Sequence, residues 1–326
     1  MSQAPSPPSD TATIHVDTDL IQVPIVALHP PFIPALGLTR DNLTIRLDGG
    51  TPFHPSYLRT EGDESIGLAV VVDVDTRAPQ LLSQGLQAAL QGWPANLLHS
   101  SDRLSFYIYG CHLIQSLDNA PADLNEYRRP IVNAASLSDF QRATEGGKAC
   151  QKPPLEDVLS LVTDRIAKEA EWKVLLLIMN GDRYADSDSL RKVQSIAAAE
   201  SVSVFAVKYV DRNDFPSSVY SATEGINVLV SSLGGVSIHS SLDDLGEVSQ
   251  NLIKLFRQRY ILSFPRPGNG SVGAHRLEVS TNMKGIIIRS SAASAPVLDT
   301  SHCKEADGKW VCSQQRPEYG NQRPNK

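Results

Sequence analysis

The stretch Leu68-Ala69-Val70-Val71-Val72-Asp73-Val74-Asp75-Thr76-Arg77 decides the fold. Its uninterrupted apolar start reads as a strand covered on both faces, as in a parallel sheet with helices above and below. The run then ends abruptly in charged and polar groups. The same grammar recurs downstream, where the apolar run 174–179 leads into Asn180-Gly181-Asp182, and 104–109 and 202–209 read as further strands. Between them apolar residues fall at helical spacing, as Leu81, Leu82, Leu86 and Leu90 do, and as Leu155, Val158, Leu159, Val162 and Ile166 do. This alternation predicts a doubly wound, Rossmann-type α/β unit over 63–260, with right-handed crossovers. Its last helix is predicted from Leu242 through Phe256, with Ser240 or Ser241 as N-cap and Asp243 and Asp244 in the first turn.

Outside this unit the composition turns to strands. Ile21, Val23 and Ile25 alternate with other residues, and so do Leu43, Ile45 and Leu47, before a turn at Asp48-Gly49-Gly50. Pro24 inside the first pattern predicts an edge strand or a bulge. Residues 260–264, 276–280 and 286–289 have strand composition again. A few isolated strands cannot bury a face alone. The N-terminal β segment 13–62 is therefore expected to pair with 260–290 in a discontinuous β-sandwich-like domain, with the α/β unit inserted between. Residues 1–12 are expected to be a disordered tail and 291–326 a polar tail.

The 326 residues carry 30 Lys+Arg against 36 Asp+Glu, a net charge of -6, and no basic block able to grip a phosphate backbone. Nucleic acid is not an expected partner. No apolar run reaches the roughly 18–20 residues of a membrane helix, so no membrane span is expected. The Pro/Ser-rich start lacks a secretory signal, which leaves a protein that stays inside or one whose signal has been removed. Cys303 and Cys312 flank a short polar loop with Asp307-Gly308 as its turn, and read either as a local disulfide or as two free thiols in a frayed tail. The disulfide reading favours a secreted or periplasmic location.

Sequence motifs nominate no catalytic centre. Gly268-Asn269-Gly270-Ser271-Val272-Gly273 matches a dinucleotide fingerprint but precedes a strand instead of a helix, which makes it a hairpin loop. Gly146-Gly147-Lys148 lacks the rest of a phosphate loop, and the eight histidines are scattered singly. No cofactor is expected, and the chain does not read as an enzyme.

Both predicted strands 68–72 and 174–179 place polar groups at the carboxyl edge of a parallel sheet, where such folds bind ligands. With the flanking β segments, this layout resembles the von Willebrand factor A domain, and more closely the A-domain-related family described from acidobacteria. Carrying the likeness further are Leu43-Thr44-Ile45-Arg46-Leu47-Asp48-Gly49, Leu233-Gly234-Gly235 and Leu255-Phe256-Arg257-Gln258-Arg259-Tyr260-Ile261-Leu262. The resemblance implies a metal-ion-dependent adhesion site in which Asp-x-Ser-x-Ser, a Thr and a later Asp hold Mg²⁺ for a partner's carboxylate. Transferred residue by residue, only Asp73 survives. The serine positions fall on Asp75 and Arg77, the threonine on Lys148 and the later aspartate on Asn180.

Two cations at the metal's place would cost several kcal/mol in rough Coulomb terms, so no metal is expected at this degenerate site. Arg77 and Lys148 either neutralise Asp73 and Asp75 or are, like them, solvated loop charges. For the acidic group Asp182, Asp186 and Asp188 a Ca²⁺ site is the weaker reading, because Asp186 or Ser187 is placed to cap the helix that continues from Leu190, and Cys111 and Cys150 near the same edge are either bonded or two buried thiols. The resulting expectation is a non-catalytic, metal-independent protein–protein interaction module of an exported protein. The alternatives are a cation-dependent adhesion protein using Asp73, Asp75 and Asp182, and an enzyme or nucleotide binder on the same fold.

Overall fold

A computed structural model of the chain describes residues 20–30, 33–60, 62, 64–74, 79–93, 98–122, 128–145, 151–166, 172–180, 190–209, 224–265, 273–291, 294–297, 303–306 and 309–312. Strands β1 (Leu20–His29), β2 (Ile33–Pro34), β3 (Leu43–Leu47) and β4 (Tyr57–Thr60) come first. The alternating region follows as β5 (Ile66–Asp73), α1 (Pro79–Gln91), β6 (Arg103–Tyr109), β7 (Leu113–Pro121), α2 (Arg128–Asn133), α3 (Leu137–Ala143) and α4 (Leu155–Ile166). It continues with β8 (Trp172–Asn180), α5 (Arg191–Ala199), β9 (Val202–Tyr209), α6 (Glu224–Ser232), β10 (Ser237–Ser240) and α7 (Leu245–Arg257). Strands β11 (Tyr260–Pro265), β12 (Gly273–Thr281), β13 (Ile287–Ser290), β14 (Ser294–Val297), β15 (Cys303–Ala306) and β16 (Lys309–Cys312) complete the described chain.

The alternating region builds a six-stranded sheet in the order β7-β6-β5-β8-β9-β10, parallel throughout except for the antiparallel edge strand β7. Every residue of β5 is buried, because helices cover both faces. Leu68, Val70 and Val72 point into one apolar cluster with α1, α3 and α7, whereas Ala69 and Val71 join the opposite cluster with α4, α5 and α6. The molecule is thus a mixed α/β protein with helices on either side of a mostly parallel sheet. Close packing also explains Leu233-Gly234-Gly235, since a Cβ at Gly235 would collide with the Val204 carbonyl of β9.

Strands from both ends of the chain meet. β1 pairs β11 and β13, β4 pairs β11, and β3 pairs β12. A third apolar cluster joins Ile21, Val23, Ile25, Leu43, Ile45, Leu262, Phe264 and Leu277. The opposite face of β1 sends Val26 and Leu28 into the α1/α3/α7 cluster, so one strand serves two cores. At the amino ends of the central strands, Asp102 accepts hydrogen bonds from the backbone N–H of Ile66 at 2.9 Å and of His99 at 2.7 Å. It also pairs with the guanidinium of Arg257. Arg257 donates in turn to the carbonyls of Gly62 at 3.4 Å and Glu64 at 2.8 Å, clamping α7 to the segment that leads into β5.

Three expectations need correction. Pro24 lies in a strand paired on both sides, not at an edge. Its missing N–H is harmless because the β13 ladder starts one residue later, at Ile25, and its carbonyl on that side accepts from Ser291 N–H at 3.1 Å. The last helix begins at Leu245, one turn later than read, because Ser241 closes a local turn with Asp244, accepting from its N–H at 3.2 Å and donating to its carboxylate at 2.6 Å. The region 291–326 is more than a polar tail: β14 pairs β12, and β15 and β16 form a hairpin.

Candidate functional site

The carboxyl ends of β5, β8 and β9 form an edge at which strand connections leave in opposite directions, the position where open α/β sheets take ligands. Asp73 is the last residue of β5 and is 1% exposed. A carboxylate so buried requires a partner, and it has Lys152, whose ammonium forms an ion pair with Asp73 Oδ1. The same ammonium donates to the Val74 carbonyl at 3.1 Å and lies 4.3 Å from the centre of the Tyr109 ring, so a cation–π contact adds to the ion pair.

The segment carrying Lys152 is itself pinned. The Tyr109 hydroxyl donates to the Pro153 carbonyl, and Pro154 accepts the first bond of α4 from Val158 N–H at 3.4 Å. From the other side Tyr209, at the end of β9, reaches past the end of β8 and donates its hydroxyl to the Asp73 carbonyl at 3.2 Å. Asn180, the last residue of β8, is the register partner of Tyr209.

Asp73 and Asn180 are therefore brought to one edge. Asp75, Arg77, Lys148 and Asp182 lie outside the described residues, as do Asp186, Asp188 and Cys150. Cys111 is disulfide-bonded, and Cys303 and Cys312 stand opposite each other in the β15/β16 hairpin. The described cation on Asp73 is Lys152, a residue the sequence reading did not single out. Its signal was faint: a lysine immediately before Pro153-Pro154 at a helix start.

Divalent magnesium needs several hard oxygens in a near-octahedral shell. An ammonium has no lone pair to contribute, and here it engages the carboxylate that the metal would need. Among the described residues, the Asp73–Lys152 pair does not suit a divalent cation.

A second cation lies further along the same edge. Lys208, the penultimate residue of β9, is fully buried and donates to Asn227 Oδ1 of α6 at 2.6 Å. Burial lowers its pKa to about 8. His239, its register partner on β10, has its pKa lowered first by burial and then by the Lys208 charge. Nothing in the sequence flagged this lysine, because one charge in an otherwise apolar strand looks like a strand end.

No family model matches the chain, and no curated protein matches it. Among solved structures it is similar to a von Willebrand factor type A protein from Catenulispora acidiphila, with 10% identity and a TM-score of 0.43 over 88% of this chain and 76% of that one. A mutant of the PilB minor pilin from Streptococcus sanguinis gives 11% identity and a TM-score of 0.42, covering 60% of this chain and 62% of that one. Human COPII-coat protein Sec24c gives 14% and 0.41 over 59% of this chain, which spans only 32% of that structure.

Proposed function

We propose that the chain is a non-catalytic interaction module with a von Willebrand factor A-like unit set into a discontinuous β-sandwich-like domain. Its carboxyl sheet edge binds a protein partner without a metal ion. The observation that supports this reading is the Lys152 ammonium on Asp73, a built-in cation at the one position where the adhesion-site pattern keeps its aspartate. The local Cys303–Cys312 bond and an exported location belong to the same proposal.

The test has two arms. Titrating the full chain with millimolar Mg²⁺ or Ca²⁺ is expected to give no saturable heat, and chelator is expected to leave the melting temperature unchanged, since an ion bound only to the folded state would raise it. In cross-linking from a native extract, the same partner is expected with and without chelator, and its yield is expected to fall for Lys152→Glu. Saturable cation binding, or capture abolished by chelator, would overturn the metal-free reading.

A further inference from the structure

We propose that two copies of the chain pair through the edge strand β4, antiparallel about a two-fold axis at Leu58. β4 closes the sheet β13-β1-β11-β4, and its far side is an edge. Which backbone groups look across that edge follows from the ladder. Pro24 turns its carbonyl to Ser291 on the β13 side, so Val23 and Ile25 turn theirs to β11, opposite Leu262 and Tyr260. The same alternation turns Ile261 and Ser263 toward β4, and the Ser263 carbonyl accepts from Ser56 N–H at 2.9 Å. Their register partners Arg59 and Tyr57 therefore direct their own backbone groups at β11. The N–H and C=O groups of Leu58 and Thr60 point away from the sheet, and among the described residues nothing bonds to them.

An identical strand satisfies Leu58 when it runs antiparallel with Leu58 facing Leu58, each N–H donating to the other carbonyl. That register sets Tyr57 opposite Arg59 of the second copy, twice. The two Leu58 side chains, which pack against the third apolar cluster, meet across the axis and extend it. Tyr57 and Arg59 project from the other face, 65% and 54% exposed. Arg59 holds Glu64 at 2.9 Å, and a guanidinium can keep a carboxylate at its rim while its face stacks on a phenol ring. Other registers fail. A slip of one residue sets Leu58 against Tyr57 or Arg59, whose backbone groups face β11. A shift of two opposes Arg59 to its own copy, or Leu58 to Ser56, whose N–H already bonds to Ser263. A cleft of about 430 Å³ beside this edge, lined by Leu38, Thr39, Arg40, Ser56, Tyr57 and Leu58, leaves room for approach.

Pairing of this kind joins the two sheets into one, in the order β13-β1-β11-β4-β4-β11-β1-β13. A four-residue strand from each copy makes a small interface, of the weak and reversible class. The pair would carry two carboxyl edges, so a partner with two binding epitopes would gain avidity from it. That consequence rests on the interaction-module reading; the pairing itself does not.

Analytical ultracentrifugation of the full chain from about 1 μM to about 1 mM is expected to show a reversible monomer–dimer equilibrium with its midpoint in that range. A chain that stays monomeric throughout overturns the proposal. Tyr57→Lys sets an ammonium against Arg59 twice and is expected to raise Kd about tenfold or more, whereas Tyr57→Glu offers each Arg59 a carboxylate and is expected to leave Kd unchanged or lower. Equal effects of the two, or none, overturn the register. Leu58→Cys puts two thiols at the axis, where the Cα atoms of a bonded pair lie about 5.5 Å apart, inside the disulfide range of about 4.4–6.8 Å. Copper phenanthroline is expected to cross-link that variant to itself and to leave Thr60→Cys, about 14 Å from its own copy, uncrosslinked; the reverse pattern overturns the pairing. If Leu58→Cys does not fold, the concentration series and the Tyr57 variants decide. Leu58→Cys cross-linked in a native extract to another protein and not to itself would give the edge to a foreign strand and overturn the second-copy assignment. The pairing uses neither Asp73 nor Lys152, so its failure and failure of the carboxyl-edge reading are separate results.

Discussion

The two ends of the central sheet each bury an aspartate against a cation, and they do so differently. At the amino end Asp102 is satisfied three times, by two backbone N–H groups and by Arg257, whose side chain is 8% exposed. The planar guanidinium also reaches two carbonyls of the segment entering β5, a division of labour that its fork of donors allows. At the carboxyl end Asp73 meets a lysine that is 19% exposed, a point charge on a flexible stem. The first arrangement joins chain segments that must not part, and the second fills an edge that faces outward.

This contrast predicts an order of effects. Asp102→Ala leaves a buried guanidinium, the buried Ile66 N–H and the part-buried His99 N–H without this acceptor, and is expected to cost about 3–5 kcal/mol. A lower urea midpoint with unchanged slope would report it. A loss below about 1 kcal/mol would make the two ends equivalent and break the comparison. Lys152→Met is expected to cost less, about 2 kcal/mol, because it withdraws one partly exposed partner from Asp73, whereas Asp102→Ala takes the acceptor from three donor groups at once. Combining it with Asp73→Asn should recover part of that loss in a double-mutant cycle, and strict additivity would show that the ion pair carries no coupling.

Lys208 sharpens the rule by exception, since its hydrogen-bond partner is a neutral amide oxygen. Burial holds its pKa near 8, below the roughly 10.4 of an unfolded lysine. The folded state therefore binds fewer protons between these values, and stability rises with pH from about 8 to about 10.4. Below pH 8 the full penalty of burying the charge is present. Lys208→Met is expected to stabilise the protein at pH 7 by about 1 kcal/mol, the relief of charge burial being partly offset by an orphaned Asn227 oxygen. Urea titrations at pH 7 and pH 10 check it: the advantage should shrink at the higher pH, and an equal advantage at both would show that Lys208 does not titrate as stated.

The central sheet was legible because helices on both faces force unbroken apolar runs, and their strand-like length, between helical stretches, separates them from buried helices. β7 was not, since an edge strand with sequence Leu-Ile-Gln-Ser-Leu-Asp-Asn-Ala-Pro has mostly part-exposed side chains and no clean alternation. The short helices α2 and α3 gave too few turns for a period to emerge. At the edge Asp73 could be placed from sequence because strand ends are visible. Its partner could not, since which lysine of a connecting loop folds back depends on where Pro153-Pro154 start α4 and on the Tyr109 ring beneath.

Strand β1 finds its partner late. Ile21 pairs with Phe264, and at ribosomal rates of about 5–20 residues per second the roughly 240 residues between them take some 12–50 s to synthesise. Through that interval a ten-residue strand, six of whose residues become buried in the finished protein, waits without β11 and β13, its two main partners. Pro24 therefore acquires a second value: a break in its donor pattern makes the nascent segment a poorer template for pairing with other chains.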